Sequence, residues 1–186
     1  YNIYDDSKGH IWICTLGNGL FKINIDDKSV DNYKSSENES SISSNNVRDI
    51  LLHSEGKLWI ATDKGICYFD YKKEVFKSYN KEPYQSNSLI DDETFCLLKD
   101  SSGLIWIGTY KGISVFNSRS NFYHFKSNLF DENSLSGNII HGIYEDDDKT
   151  LWVGTNKNGV NIINGDVRNH LNKDNSNLIS NLIEDI

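Results

Sequence analysis

The chain has 186 residues and a net charge of −8 at pH 7, with 37% hydrophobic and 25% charged residues. It is long enough to bury a core, and no apolar run approaches the roughly 20 residues of a transmembrane helix, so we expect no membrane insertion by this segment. The negative charge argues against a nucleic-acid partner. The chain begins with Tyr1 and contains no Met, which indicates a segment of a longer protein.

Four Trp residues recur at nearly constant spacing, at positions 12, 59, 106 and 152. Each lies in a variant of one phrase, which reads GHIWICT, GKLWIAT, GLIWIGT and KTLWVGT along the chain. An acidic turn precedes each phrase, and a short Gly turn follows its Thr. We interpret the acidic turns as solvated hairpin turns. The pattern predicts repeats at 1–40, 41–87, 88–133 and 134–176, with the start of a fifth at 177–186.

Each repeat predicts four short strands. In the second repeat they span 47–52, 57–62, 66–69 and 75–79, and helical periodicity is nowhere sustained. Four strands in about 45 residues, repeated along the chain, are typical of the blades of an all-β β-propeller, each a sheet of four antiparallel strands. A β-sandwich would not need a Trp at fixed spacing. We therefore expect Trp12, Trp59, Trp106 and Trp152 to be structural residues of the second strands, buried between blades.

The full phrase, D-x-x-G-x-[IL]-W-[IV]-G-T-x-x-G, resembles the two-component regulator propeller repeat. Its best copy is DSSGLIWIGTYKGISVFN at 100–117, and the main departures are Cys14 and Ala61 in place of Gly and Lys149-Thr150 in the fourth turn. That family forms the extracytoplasmic sensor part of bacterial hybrid two-component systems and of sensors linked to diguanylate cyclases. The resemblance implies a fragment of a seven-bladed propeller, a periplasmic or extracellular location, and ligands that include oligosaccharides.

Candidate ligand-binding residues come from the loops at one face of the predicted propeller, where the loops of all blades gather around the channel. One loop of each repeat follows the Thr of the phrase, and the other enters the first strand. The candidates are Arg48, Asp63, Lys64, Tyr110, Lys111, His141, Asn156 and Lys157. The Asn or Asp at 45, 92, 138 and 181 is expected to form an Asx-turn.

The sequence predicts no catalytic residue, metal site or cofactor. The Asp146-Asp147-Asp148 run lacks the Gly and the distal Glu of a calcium loop. Cys14, Cys67 and Cys96 lie in apolar strands without C-x-x-C spacing, so they are interpreted as core residues.

The predicted function is therefore a non-catalytic sensor segment that binds an oligosaccharide or another small molecule. Two alternatives remain. One is a purely structural protein-interaction propeller. The other is an enzyme similar to the streptogramin lyases, for which His141 and Glu184 would be the candidate channel residues.

Self-association is also predicted from the phasing of the repeats. Residues 1–5 and 181–186 fall within the same element of the repeat, the first strand. Four blades are too few for a ring of about seven, so an apolar blade face is left open at each end. We expect two chains to associate, and a compact four-bladed closure is the alternative.

Overall fold

The computed structural model of the chain describes residues 2–54, 57–117, 121–165 and 167–186. Within these ranges the regular structure is β-strand, and no helix is long and apolar enough to cross a bilayer. The strands are β1 (Ile3–Asp5), β2 (His10–Cys14), β3 (Leu20–Asn24), β4 (Val30–Tyr33), β5 (Val47–Ser54), β6 (Lys57–Thr62), β7 (Gly65–Asp70), β8 (Val75–Tyr79), β9 (Thr94–Lys99), β10 (Ile105–Thr109), β11 (Gly112–Asn117), β12 (Asn121–Phe125), β13 (Ile140–Glu145), β14 (Leu151–Thr155), β15 (Val160–Asn164) and β16 (Val167–Leu171).

The strands form four sheets of four antiparallel strands, each ordered as in the sequence. This confirms the all-β class and the blade of four antiparallel strands. The bounds predicted for β6 and β8 are those observed, whereas β5 continues to Ser54 and β7 spans Gly65–Asp70. The acidic turn predicted before the second phrase falls on residues 54–56, of which Glu55 and Gly56 lie outside the described residues.

The chain divides into two compact units. The first unit is Tyr1–Asn80 with Asp92–Thr94, and the second is Lys81–Asp91 with Phe95–Ile186. The first and second sheets (β1–β4 and β5–β8) therefore lie in the first unit, and the third and fourth sheets (β9–β12 and β13–β16) lie in the second, except for Thr94 at the start of β9.

In each unit the two sheets pack face to face around a Trp. We call the face of a sheet that carries the Trp its trailing face, and the opposite face its leading face. In the first unit Trp12 and Leu20 pack on Phe69 and Phe76 of the second sheet. In the second unit Trp106, Ile113 and Val115 pack in the same way on Leu151, Val153 and Ile163. Each core is thus a trailing face covered by a leading face.

The tips of the acidic turns are exposed hairpin turns, as predicted, but the first Asp of the turn is tied to the Trp, which was not predicted. Asp100 is buried, and its Oδ1 accepts the backbone N–H groups of Ser102 and Leu104, both at 2.9 Å. Its Oδ2 accepts the indole N–H of Trp106 at 2.7 Å. One carboxylate thereby closes the turn and fixes the ring. The same indole bond joins Trp12 to Asp6 at 3.2 Å and Trp152 to Asp146 at 2.8 Å.

These hydrogen bonds favour the ionised carboxylates. Burial alone would raise the pKa of Asp100, but the hydrogen bonds from Ser102, Trp106 and Leu104 outweigh it and hold that pKa below its ordinary value. The pKa of Asp6 is lowered for the same reason, because its hydrogen bonds outweigh the effect of burial. For Asp146 the bond from the indole of Trp152 is the largest cause of a lowered pKa.

The Gly and Thr that follow the Trp also have defined roles. A Cβ on Gly108 would meet Cys96 Sγ and would lie 2.9 Å from Ile140 Cγ2, so only a residue without a side chain lets the first strand of the next sheet pack there. The Thr109 hydroxyl donates to the Gly112 carbonyl at 2.8 Å and closes the hairpin. The equivalent bonds in the other sheets are Thr15–Gly19, Thr62–Gly65 and Thr155–Gly159.

Residues 177–186 form no strand, although the sequence predicts that a first strand begins at 181. A strand needs a paired neighbour, and no described strand pairs with this segment. Its backbone nevertheless makes the same hydrogen bonds to the preceding hairpin as residues Asn45 and Val47 make at the start of the second repeat. The Gly159 N–H donates to the Asn181 carbonyl at 2.9 Å, and the Ile183 N–H donates to Thr155 at 3.0 Å.

All four Trp residues lie in the second strand of their sheet. Trp12, Trp59 and Trp106 are buried, and Trp152 is only partly buried, so it is less buried than the other three. The physical reason is that Trp152 lies on the trailing face of the fourth sheet, and no further sheet follows in the described part of the chain.

We predict that Trp106→Ala costs about 3–5 kcal/mol of unfolding free energy, because it leaves a cavity between two sheets. Trp152→Ala is expected to cost clearly less, since that ring is only partly buried. Both Trp106 and Trp152 donate to an Asp, so the difference between the two variants reports packing. Urea unfolding measures both values, and equal costs would contradict this account of the core.

We also predict that Asp100→Asn lowers the unfolding free energy at pH 7 by about 1–3 kcal/mol, because the amide cannot accept from both the turn and the indole. The folded pKa of Asp100 is depressed, so this stabilisation is fully present above the unfolded pKa of about 3.9 and is lost as pH falls through the folded value. Below both pKa values the gap between variant and wild type is expected to close. Asp147→Asn is the matched control, because Asp147 is the exposed residue after Asp146 in the equivalent turn of the fourth repeat. A pH-independent gap would contradict the assignment.

Candidate functional site

The two loops predicted to share one face do lie side by side within each unit. These are the turn between the second and third strands and the segment that connects the fourth strand to the next repeat. In the first unit the Gly19 N–H of the turn donates to the carbonyl of Asn45 in the connecting segment at 2.9 Å. The Gly65 N–H bonds Asp92 in the same way at 2.6 Å. We call this side of the sheets the loop face.

The Asn residues before the first strands do not form the predicted Asx-turns. Their side-chain oxygens accept backbone N–H groups from the far end of the connecting segment, 8 to 11 residues upstream. The pairs are Asn45 with Ser35, Asn138 with Ser127, and Asn181 with Lys173. The reason is that the connecting segment folds back on itself and brings its two ends together. The side chains of these Asn residues therefore hold the two ends of a connecting segment together, rather than closing a local turn.

A groove of about 300 Å³ lies on the loop face of the second unit. It is lined by residues 127–129, 131, 132 and 134–136 of the connecting segment, together with Lys157, Asn158, His170, Asn172 and Asn181. The lining is dominated by hydroxyl, amide and charged side chains. Such a surface offers many hydrogen-bond donors and acceptors to a polar ligand.

The wall of the groove is held by side-chain hydrogen bonds. The Ser134 hydroxyl accepts the Asn128 N–H at 2.8 Å and donates to the Asn128 carbonyl at 2.9 Å, which closes the connecting segment into a compact loop. Ser136 Oγ donates to the Asn158 carbonyl at 3.2 Å and joins this loop to the neighbouring turn. Leu135, buried beneath them, anchors the loop in the core of the unit.

Of the candidates in the second unit, Lys157 alone is among the residues that line the groove. Lys111 Nζ lies 2.7 Å from Asp91 Oδ2 in an ion pair, and Tyr110 beside it is exposed. The ring of His141 packs on Phe95, with centroids 4.8 Å apart.

Asn156, the remaining candidate of this unit, donates its backbone N–H to the Ile139 carbonyl at 3.0 Å. Glu184, proposed as the partner of His141 in an enzyme, lies exposed in the segment that follows the fourth sheet.

The candidates in the first unit are engaged in its internal contacts. Arg48 pairs with Glu93 at 2.9 Å and donates to the Thr94 carbonyl at 3.1 Å. Asp63 Oδ2 accepts the side-chain amide of Asn46 at 2.5 Å. Burial would raise the pKa of Asp63, but the hydrogen bonds, with that from Asn46 first, lower it overall.

Lys64, the third candidate of the first unit, is exposed, and its carbonyl accepts the Asn80 amide at 3.0 Å. The structure therefore assembles no single site from the eight candidates. Asp131, Glu132 and His170 also line the groove, and none of them was predicted as a site residue. The segment before β13 is as long as the segment before β9, and His170 lies on β16, so no local pattern in the sequence marks them.

The structure shows no nucleophilic or metal-binding cluster among the residues it describes. The three Cys are free and buried, and burial raises the pKa of Cys14 to about 12. No group of three or more His, Cys, Asp or Glu side chains in the described ranges could hold a metal ion.

We predict that all three thiols react slowly with a thiol reagent such as DTNB at pH 8, because each is buried and the thiolate is the reactive form. Unfolding in urea is expected to make all three react rapidly. Rapid labelling of the native chain at any Cys would contradict the assignment of these residues to the core.

Comparison with known proteins identifies the repeat. Residues 41–64, 88–111 and 134–157 each match the two component regulator propeller family. No curated protein sequence matches the chain.

Solved structures share the fold. The extracellular domain of a protein described as a hybrid two component system, BT4673 from B. thetaiotaomicron, is 27% identical with a TM-score of 0.75, over 94% of this chain and 25% of that one. The corresponding domain of BT3049 from the same organism is 24% identical with a TM-score of 0.56, over 98% and 30%. Virginiamycin B lyase from Staphylococcus aureus is 19% identical with a TM-score of 0.66, over 92% and 54%. The chain spans about a quarter of the BT4673 domain.

Proposed function

Because the chain carries repeats of the two component regulator propeller family, we propose that it is a non-catalytic, ligand-binding segment of an extracytoplasmic bacterial sensor. The observation that carries the proposal is the polar groove on the loop face of the second unit. The signalling role is supported by the family of the repeats. The location is supported by the similarity to extracellular domains of hybrid two component systems.

The chemistry of the groove favours a polyhydroxylated ligand such as an oligosaccharide. Ser and Asn side chains both donate and accept hydrogen bonds, as sugar hydroxyls do. Asp131 and Glu132 can accept from sugar hydroxyls, and Lys157 can donate to their oxygens. Leu129 in the lining and the adjacent, almost fully exposed Phe130 offer an apolar surface on which the face of a sugar ring can stack.

A role in protein interaction is the second candidate, and one observation favours it. Tyr84 and Phe130 occupy equivalent positions, four residues before the Ser of the Ser-Leu pair in their repeats, and both are almost completely exposed. Aromatic side chains held outward on closed loops are suitable anchors for a partner protein. The enzyme alternative is supported by likeness of fold to virginiamycin B lyase, at 19% identity.

We predict that the chain binds one or more members of an array of soluble oligosaccharides. Lys157→Ala and His170→Ala are each expected to weaken that binding by about tenfold or more, because each removes a polar contact worth roughly 1.4 kcal/mol. Isothermal titration calorimetry measures the change in Kd.

Lys77→Ala is the matched control, since Lys77 is an exposed cation on β8 of the first unit. It is expected to leave binding unchanged. Binding that survives both groove substitutions would remove the groove from the proposal, and an absence of binding across the array would favour the protein-interaction candidate.

A further inference from the structure

The sequence contains three Asn-Gly pairs, which are Asn18-Gly19, Asn158-Gly159 and Asn164-Gly165. In such a pair the backbone nitrogen of the Gly can attack the side-chain carbonyl carbon of the Asn, because no Cβ hinders its approach. Two conditions decide whether this reaction proceeds in a folded chain. The Gly N–H must be accessible to a base that removes its proton, and the Asn side chain must have room to turn back onto the main chain.

Two of the three pairs are held in hairpin turns of the loop face. The Gly19 N–H donates to the Asn45 carbonyl at 2.9 Å. The Gly159 N–H donates to the Asn181 carbonyl, also at 2.9 Å. Both Gly residues are buried, and a Cβ on Gly159 would meet the backbone carbonyl of Leu171. The attacking nitrogen of these pairs is therefore shielded from base, and its hydrogen bond must break before it reacts.

The third pair lies at the end of β15 in the second unit, and both of its residues, Asn164 and Gly165, are exposed. No backbone carbonyl among the described residues accepts the Gly165 N–H, and nothing lies within 4 Å of a Cβ built on Gly165. The Asn164 amide donates to the Thr150 hydroxyl at 3.2 Å, which is at the long end of the range for a hydrogen bond. Of the three pairs, this one meets both conditions.

We propose that Asn164 is a site of spontaneous deamidation in the native protein. A base removes the proton of the Gly165 N–H, and the nitrogen attacks Asn164 Cγ. The N–Cγ bond forms, the Cγ–Nδ2 bond breaks, and Nδ2 leaves as ammonia with a proton from solvent. Water then opens the cyclic succinimide at either of its carbonyls, which gives aspartate or isoaspartate. No oxidant or reductant takes part.

The products differ from the native turn in charge and in chain length. Each adds a negative charge to a chain whose net charge is already −8, and neither can donate a hydrogen bond to Thr150 as the Asn164 amide does. Isoaspartate also adds a carbon to the main chain beside the Asn164–Val167 pair, so the β15–β16 hairpin is expected to lose strand pairing there. This inference is independent of the proposed function.

Mass spectrometry of a tryptic digest tests the inference with an internal comparison. The peptide 158–168 lies between two trypsin sites and contains both the shielded pair at 158 and the exposed pair at 164. The full chain is incubated at pH 8 and 37 °C, and fragment ions assign the deamidation to one Asn or the other. We expect Asn164 to react at least about tenfold faster than Asn158, because reaction at Asn158 requires a local opening that breaks the Gly159 hydrogen bond.

The same incubation in urea is the control for intrinsic reactivity. Unfolding removes the hydrogen bond of Gly159, so Asn158 and Asn164 are expected to react at comparable rates. Gly165→Ala is expected to slow the reaction at Asn164 by at least about tenfold and to leave Asn158 unchanged, because the added Cβ hinders the attacking nitrogen. The φ of +57° at Gly165 makes Ala strained there, but its Cβ meets no neighbour, and unfolding curves check the fold.

Equal rates at Asn158 and Asn164 in the native chain would overturn the inference, as would a native Asn164 that stays intact while the unfolded chain reacts. A preference for Asn164 that persists in urea would mean that the sequence, and not the fold, selects the site, and would also overturn it. Reaction at Asn164 that Gly165→Ala leaves unchanged would contradict attack by the Gly165 nitrogen.

Discussion

A single carboxylate group serves two parts of each repeat in which it occurs. In the third repeat one oxygen of Asp100 organises the turn between the first two strands, and the other holds the indole N–H of Trp106. Because the ring is held at its polar edge, its apolar body can be buried between sheets without an unsatisfied donor. The turn, the strand pairing and the packing of sheet on sheet therefore depend on one residue. The same arrangement recurs at Asp6 and Asp146.

The rest of the phrase follows from this position of the Trp. Once the ring lies between sheets, the next repeat must approach the second strand closely, and Gly108 allows Ile140 to do so. Thr109 then closes the hairpin onto Gly112. The second repeat differs in having His53 at the position of the Asp, and its ring contacts Trp59 with centroids 6.2 Å apart. The phrase thus specifies a packed blade rather than a chemical site.

Because the phrase specifies the packing of the sheets, the fold could be predicted from the sequence, whereas the groove could not. Strands such as Lys57–Thr62 are defined by local apolar runs and by a turn residue that adjoins them. The groove depends instead on polar residues distant in sequence, such as His170 and Glu132, that converge when loops are pinned. Residue type predicted a polar loop at Asn138, but not that its partner would be Ser127. The role of Asp100 was not predicted either, because its side-chain partner is a ring six residues away on the neighbouring strand.

The residues that stabilise the sheets are different from the residues on the loop face that are available for recognition. The Asp, Trp, Gly and Thr of the phrase are committed to the sheets, so the loop face can vary in length and polarity without a loss of core contacts. The groove beside Lys157 and the exposed aromatic residues at 84 and 130 lie on such loops. The candidates Arg48 and Lys111, in contrast, are engaged in ion pairs within their units.

The most direct test of the account is the indole N–H signal of each of the four Trp residues in nitrogen–proton NMR spectra recorded from pH 7 towards pH 2. The account predicts that the signals of Trp12, Trp106 and Trp152 shift with the titration of a carboxylate whose pKa is below its ordinary value. In Asp100→Asn, the shift of Trp106 alone is expected to disappear. A Trp106 signal that titrates equally in wild type and variant would contradict the claim that this carboxylate holds the ring.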